Sequence, residues 1–225
     1  MKSNKKQTII FDMDGVLIDA INSFRVAAAD TYKHYSGLEL PLDEVSELKK
    51  SGGHNNDWDM VEFLLGKINI SVNKEELVEY FENIYKVLSE KETPLVNEEF
   101  FEILSKDYNL AIFTGRTSHD TQRTLKKHNW NKYFYPIITM QEVGIDHQKP
   151  DNLGIELIKK ELNSEKYYFL GDTVDDMKAA KMSEVEGLGI LPPHDKSDEL
   201  SKLLKLAGAN VVFKSAADII DYVQK

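Results

Sequence analysis

From residue 94 onward, short apolar runs alternate with segments of helical periodicity, and this alternation constrains the fold more than any other feature of the chain. Helical patterns precede each of the strands predicted at 110–113, 136–139, 167–170, 187–191 and 211–213. Strands that alternate with helices form a parallel sheet, because each right-handed crossover returns the chain to the same end of the sheet. We therefore expect an α/β fold with a Rossmann-like, doubly wound parallel sheet.

One more strand is predicted near the beginning of the chain, at residues 8–11, and a long helical block separates it from the others. Helices are predicted at about 20–35, 42–49, 58–65 and 74–90. The simplest arrangement is a core domain built from residues 1–17 and 91–225, with an all-helical cap domain of residues 18–90 inserted after the first strand.

The composition limits the function classes. With 225 residues, 41% of them apolar and 29% charged, the chain can bury the core of a soluble globular protein. A net charge of −10 argues against nucleic acid as a partner. The chain has no cysteine and no apolar stretch near the roughly 20 residues that span a bilayer. We expect a cytoplasmic protein, a monomer or homodimer, with no membrane partner.

Polar motifs lie at the ends of three predicted strands. The first strand runs into Asp12-Met13-Asp14-Gly15, the second into Thr114-Gly115-Arg116, and a later one into Gly171-Asp172-Thr173-Val174-Asp175-Asp176, while Lys149-Pro150-Asp151 precedes a helix. Taken singly, each motif also has an ordinary explanation as a turn, a helix cap or a solvated lysine. Together they fall on one edge of a parallel sheet, outside the carboxyl ends of the strands, where open α/β sheets bind ligands.

Four carboxylates at that edge would repel one another by about 4 kcal/mol for each pair at ~4 Å and an effective dielectric near ~20. They must either take up protons or hold a cation. Oxygen ligands without cysteine indicate a hard ion, and Mg²⁺ is the usual one beside phosphate. The four are Asp12, Asp14, Asp172 and Asp176.

The remaining groups suit a phosphate ester. Lys149 and the cation would attract a phosphate dianion to an otherwise acidic protein, and the Thr114 hydroxyl and the Gly115 amide would donate hydrogen bonds to its oxygens. One carboxylate can attack phosphorus while a second transfers a proton to the leaving group.

These four motifs resemble those of haloacid dehalogenase superfamily phosphatases, in the branch with a helical C1 cap after the first strand, and are similar to those of phosphoglycolate phosphatases. The resemblance implies that Asp12 is the nucleophile and Asp14 the general acid/base of a phosphatase that forms an aspartyl-phosphate from a small phosphorylated metabolite. It also implies that Thr114 and Lys149 stabilise the phosphoryl group. The implied metal ligands are Asp12, Asp14 through its backbone carbonyl, Asp172 and Asp176.

Substrate contacts are harder to predict. The glycine-rich segment at residues 51–57 suggests that Gly53, Asn55 and Asn56 bind the leaving group, although a surface turn that ends in a helix cap explains the same residues. Arg116 could bind a substrate carboxylate.

Two other functions use similar residues. A phosphomutase of the β-phosphoglucomutase type has the same pair of aspartates but needs a second phosphate and excludes water. A phospho-accepting or phosphate-binding domain would not be an enzyme at all, and the helical insertion and the Asp12-x-Asp14 spacing both speak against it.

Overall fold

A computed structural model of the protein describes residues 5–54 and 56–224. The chain divides into two compact units, which we name the sheet unit (the chain up to Ile18 and from Pro94 onward) and the helical unit (Asp19–Thr93). The two-residue strands β2 (Ile18–Asp19) and β3 (Thr93–Pro94) pair with each other where the chain passes from one unit to the other. The sequence did not predict these two short strands.

The sheet unit contains a six-stranded sheet in which every neighbouring pair is parallel. The strands stand in the order β5-β4-β1-β6-β7-β8. Their bounds are β1 Gln7–Phe11, β4 Tyr108–Phe113, β5 Phe134–Ile138, β6 Tyr167–Gly171, β7 Glu186–Ile190 and β8 Ala209–Phe213. The predicted α/β fold with a doubly wound parallel sheet is confirmed.

Seven helices accompany these strands in the described part of the sheet unit. They are α5 Glu98–Leu104, α6 Ser118–Lys127, α7 Met140–Val143, α8 Leu153–Leu162, α9 Val174–Met182, α10 Asp198–Ala207 and α11 Ile219–Val223. The four-residue α7 was not predicted. Thr139, which the sequence assigned to the end of a strand, instead caps α7, while Pro136 lies in β5 at the edge of the sheet, where its missing N–H is tolerated.

The central strand β1 is buried on both faces, as its apolar sequence predicts. Ile10 belongs to the cluster formed with residues of α8 and α9. The next side chain along, Phe11, points to the opposite face and packs edge-on against Phe100 and Phe101 of α5. Helices therefore cover both faces of the sheet.

The helical unit is built from α1 (Ile21–Ser36), α2 (Leu42–Ser51), α3 (Asp57–Lys67) and α4 (Lys74–Leu88). The apolar faces of these helices enclose a core in which Phe24 stacks on Tyr85, with ring centroids 4.2 Å apart. None of the helices in residues 5–54 and 56–224 has the length and apolarity that crossing a bilayer requires.

Candidate active site

The candidate site lies at the carboxyl ends of β1, β4 and β6. The chain adds β4 and β5 on one side of β1 and then crosses to the other side to form β6, so this is the switch point of the sheet. Phe11 stands opposite Ile112 of β4 and Leu170 of β6. The three strands thus end at nearly the same level, and the polar residues after them meet.

Asp12 is the first residue after β1 and is almost fully buried, with 5% of its surface exposed. Its amide continues the sheet by donating to the Leu170 carbonyl at 2.9 Å. The chain then turns sharply, because the Leu17 and Ile18 amides both donate to the Met13 carbonyl. Asp12 therefore sits on a rigid strand end rather than on a mobile loop.

Lys149 reaches Asp12 from the segment before α8. Its ammonium group lies 2.9 Å from Asp12 Oδ1 and 2.6 Å from Asp176 Oδ1, and the residue is only 4% exposed. The rings of Phe113 and Phe169 lie beneath the ammonium, with centroids 5.4 Å and 5.7 Å away. Burial lowers the pKa of Lys149, but attraction to the two carboxylates outweighs this and raises the pKa above its ordinary value, so the lysine is a cation.

Asp176 is oriented by a capping box at the start of α9. Its Oδ2 accepts hydrogen bonds from the Thr173 amide at 3.0 Å and the Thr173 hydroxyl at 2.6 Å, which leaves Oδ1 directed at Lys149. The neighbouring Asp175 lies instead 3.6 Å from Lys178 of its own helix. Of the two adjacent aspartates, Asp176 is therefore the one that belongs to the site.

Asp172 completes a cluster of three acids: one carboxylate oxygen from each of Asp12, Asp172 and Asp176 lies within 4.8 Å of the others. Asp172 also presses against the turn after β1, since a Cβ added to Gly15 would lie 2.0 Å from its Oδ2. Only glycine leaves this space and also accepts the positive φ of +72° found there.

The electrostatics of this cluster fit a bound divalent cation. Burial raises the pKa of Asp12 to about 7; Lys149 lowers it only in part, while Asp176 and Asp14 raise it further. Burial, followed by repulsion from Asp176 and Asp12, raises the pKa of Asp172 well above its ordinary value. One lysine thus leaves the acids with an excess of negative charge, and their oxygens are the ligand type that Mg²⁺ prefers.

Asp14 lies outside that cluster of oxygens and is paired with Arg116. Arg116 Nε donates to both carboxylate oxygens of Asp14 at 3.0 Å and 3.1 Å, and Nη2 donates to Oδ1. Arg116 Nη1 donates to the Thr124 hydroxyl of α6 at 2.9 Å. The sequence suggested a substrate carboxylate as the partner of Arg116, whereas here the guanidinium holds a carboxylate of the protein itself.

Thr114 and Gly115 follow β4 as predicted. Thr114 is 1% exposed, its amide donates to the Ile138 carbonyl, and its hydroxyl accepts a hydrogen bond from the Arg116 amide at 3.2 Å. Gly115 is exposed. The predicted phosphate contacts of the Thr114 hydroxyl and the Gly115 amide stay predictions.

The residues predicted to contact the substrate from the helical unit are Gly53, Asn55 and Asn56. Asn56 caps α3, its Oδ1 accepting from the amides of Trp58 at 2.9 Å and Asp59 at 3.1 Å. Gly53 is exposed and has a φ of +80°. Asn55 lies outside the described residues. Substrate binding by these residues stays a prediction.

Sequence reasoning missed two residues that hold the site together. Thr173 orients Asp176, and its Thr-x-x-Asp spacing is a recognisable capping signal in the sequence. Thr124 anchors Arg116 from two turns into α6, and no local pattern marks it, because the contact exists only once α6 packs beside the site.

The fold and the site together define a Rossmann-like α/β protein with a buried lysine and acid cluster at the switch point of its sheet. The chain belongs to the haloacid dehalogenase-like hydrolases, since the sequence model of that family matches residues 9–190. The resemblance drawn from the motifs is thereby confirmed.

The chain is also similar to individual proteins. The chain is 27% identical over 96% of its length to an imidazoleglycerol-phosphate dehydratase of Phytophthora nicotianae, of which it spans about half, 52%. It is 27% identical over 78% of its length to a phosphoglycolate phosphatase of Aquifex aeolicus, covering 80% of that protein. A hydrolase from Pseudomonas syringae of known structure shares the fold, with a TM-score of 0.76, 22% identity, and coverage of 96% of this chain and 97% of that one.

Proposed function

We propose that the protein is a Mg²⁺-dependent phosphatase that hydrolyses a small phosphorylated metabolite through an aspartyl-phosphate on Asp12. The observation that carries the proposal is the position of Asp12: a buried carboxylate at a strand end, 2.9 Å from the Lys149 ammonium and beside Asp172 and Asp176. This arrangement supplies a fixed nucleophile and local positive charge for a phosphoryl group in an acidic protein.

The reaction has two steps. In the first, an oxygen of Asp12 attacks phosphorus, the ester P–O bond breaks, and the leaving alkoxide takes a proton from Asp14. In the second, water gives a proton to Asp14 and attacks the same phosphorus, which breaks the bond to Asp12 and releases inorganic phosphate. Both side chains return to their starting forms, and the net reaction consumes one water molecule.

The other residues hold the phosphoryl group in place. Lys149, fixed by Asp176, would pair with a phosphoryl oxygen as charge develops on it, and the Gly115 amide and the Thr114 hydroxyl would donate further hydrogen bonds. Asp12, Asp172, Asp176 and the backbone carbonyl of Asp14 would hold the Mg²⁺. Bound there, the ion would neutralise carboxylate charge and polarise the phosphoryl group.

The substrate class follows from charge and from the relatives. An acidic protein whose proposed site contains the cation of Lys149 favours a small monoester over a long polyanion. The Aquifex aeolicus relative is a phosphoglycolate phosphatase, which supports a small phosphorylated acid or alcohol as substrate. We assign the helical unit the part of a cap that selects the leaving group, with Gly53, Asn55 and Asn56 as its contact residues.

The test is release of inorganic phosphate from a panel of phosphorylated metabolites, with Mg²⁺ and with EDTA. We expect release that needs Mg²⁺ and is lost in the isosteric variant Asp12→Asn, because an amide cannot form the acyl-phosphate. Asp107→Asn, which removes an exposed carboxylate of the same unit, should keep full activity.

Two results would contradict the proposal. Phosphate release by Asp12→Asn at the wild-type rate would rule out Asp12 as the nucleophile. Activity that depends on a bisphosphate activator and moves phosphate within the substrate, without releasing it, would identify a phosphomutase instead.

A further inference from the structure

We propose that Arg116 is a positioning residue that fixes the carboxylate of Asp14 for proton transfer, and that it does not bind the substrate. The inference rests on the proposed function, because it gives Asp14 the acid/base role. The observation behind it is the two-pronged contact in which Nε and Nη2 of a buried guanidinium grip the Asp14 carboxylate.

The guanidinium is itself held rigidly. Its side chain is 0% exposed, and Nη1 donates to the hydroxyl of Thr124, which is 5% exposed. The backbone of Arg116 is fixed at both ends, its amide on the Thr114 hydroxyl and its carbonyl on the Met140 amide. A planar fork that cannot turn allows only one orientation of the carboxylate it binds.

Asp14 is the opposite kind of residue, with 35% of its side chain exposed and a backbone that belongs to a sharp turn. Without a partner, such a side chain would exchange between rotamers. The grip of Arg116 therefore holds the Asp14 carboxylate in one orientation, while its 35% exposure leaves it within reach of a leaving group or a water molecule.

The same contact argues against substrate binding by Arg116. A substrate carboxylate would have to displace Asp14 from Nε and Nη2, and this would release the group that the proposed reaction needs in a fixed position. A buried guanidinium that already holds a carboxylate of the protein is better explained as a group that positions Asp14 than as one that binds the substrate.

The test compares two substrates that need general acid catalysis to different extents. With p-nitrophenyl phosphate the leaving group departs without a proton, whereas the best alkyl phosphate of the panel needs one. We expect Arg116→Met to lower kcat for the alkyl phosphate by about 10²-fold, the low end of general acid–base effects, with a much smaller loss for p-nitrophenyl phosphate and little change in KM.

A double-mutant cycle with Asp14→Asn shows whether the loss of kcat in Arg116→Met occurs through Asp14. If Arg116 acts only through Asp14, Arg116→Met should add little loss once Asp14 is an asparagine. Arg116→Lys, which keeps the charge but not the fork, should recover only part of the activity.

Two further variants keep the test decisive if Arg116→Met fails to fold. Thr124→Val removes only the anchor of Nη1 and should give a smaller loss with the same preference for the alkyl phosphate. Arg123→Met, which removes an arginine that is paired with Asp120 on the same helix, should show no such preference.

A rise in KM with kcat unchanged would overturn the inference and restore Arg116 as a substrate-binding residue. Equal losses for both substrates, or losses that add fully in the cycle, would also overturn it. These outcomes are distinct from failure of the proposed function, which would appear as no phosphate release by the wild type or as full activity of Asp12→Asn.

Discussion

The turn after β1 and the loop between α2 and α3 both combine glycine with polar side chains, but they use those side chains differently. Each contains a glycine at positive φ, Gly15 in the first and Gly53 in the second, beside carboxylate or amide side chains. In the turn after β1, Asp12 is buried against Lys149 from a distant part of the chain. In the loop, Asn56 binds amides of its own helix.

The difference separates two reasons for placing a polar residue in a loop. A side chain that satisfies neighbouring backbone amides stabilises local structure, and this alone is sufficient reason for its presence. A buried carboxylate that binds no backbone amide and is paired with a lysine distant in the sequence costs desolvation free energy without stabilising local structure. Its presence therefore indicates a functional role. Chemistry is therefore favoured at the sheet edge, whereas the contacts described for Asn56 are those of a helix cap and leave its predicted substrate contact to experiment.

The largest predicted effect is the loss of activity on replacing Lys149 at the sheet edge. Replacing Lys149 by Met leaves Asp12 and Asp176 buried together without their cation and removes the charge meant for the phosphoryl oxygens. We expect kcat/KM for phosphate release to fall by about 10²–10³-fold. The matched variant is Lys49→Met, which breaks the 2.7 Å ion pair between Lys49 of α2 and Asp57 at the start of α3 and should leave kcat/KM for phosphate release unchanged.

Steady-state kinetics and thermal unfolding of both lysine variants would check this expectation. If Lys49→Met reduced kcat/KM as much as Lys149→Met, the distinction between the two regions would be lost.

The two glycines provide a second test, on metal binding. Alanine at Gly15 or Gly53 meets the same backbone strain, about 1–2 kcal/mol, because both have positive φ. At Gly15 the new methyl group would collide with a side chain, lying 2.0 Å from Asp172 Oδ2. At Gly53, apart from the chain neighbours, no atom of residues 5–54 and 56–224 lies within 4 Å of the new methyl group. We expect Gly15→Ala to raise the Mg²⁺ concentration needed for half-maximal activity about 10-fold or more, within the range known for groups that orient metal ligands.

Titration of activity with Mg²⁺ measures this directly, and unfolding curves of both variants separate an effect on the metal site from a general loss of stability. An unchanged Mg²⁺ requirement in Gly15→Ala would remove Asp172 from the proposed metal site. A higher KM in Gly53→Ala would instead support its predicted contact with the substrate.

The smallest predicted effect is the loss of stability on replacing Asn56, the residue of the loop that caps α3. Asn56→Ala should lower the free energy of unfolding by about 1 kcal/mol, the usual loss for a helix N-cap. Asn73→Ala is a close control, because Asn73 caps α4 through the same two bonds, to the amides of Glu75 and Glu76 at 2.8 Å and 3.2 Å.

Chemical denaturation and KM should be measured for both asparagine variants. Equal stability losses with unchanged KM would mean that Asn56 is a structural residue. A higher KM in Asn56→Ala alone would show that Asn56 also contacts the substrate. Polar residues of both regions would then serve function.

Much of the fold could be predicted because its signals are local. The strand at residues 8–11, the alternation after residue 94 and the cap before the helix at 58–65 are all visible as patterns over a few residues. Elements whose existence depends on partners were not predicted, such as the paired strands β2 and β3, which have only two residues each.

The residue types of the candidate site were equally readable, because carboxylates and a lysine at strand ends have few other uses in combination. The sequence by itself therefore determined the parallel sheet, the edge that carries the polar motifs and the acidic character of the site. Each of these depends on periodicity or on the rule that parallel strands end at one edge.

Only the tertiary structure decided which groups face each other. It paired Lys149 with Asp12 and Asp176, directed Arg116 to Asp14 rather than outward, and brought Thr124 beside the guanidinium. These contacts join side chains from separate elements, and their directions depend on helix packing and rotamers that no short stretch of sequence specifies. A buried charge takes the partner that packing brings within reach, since leaving it unpaired would destabilise the fold.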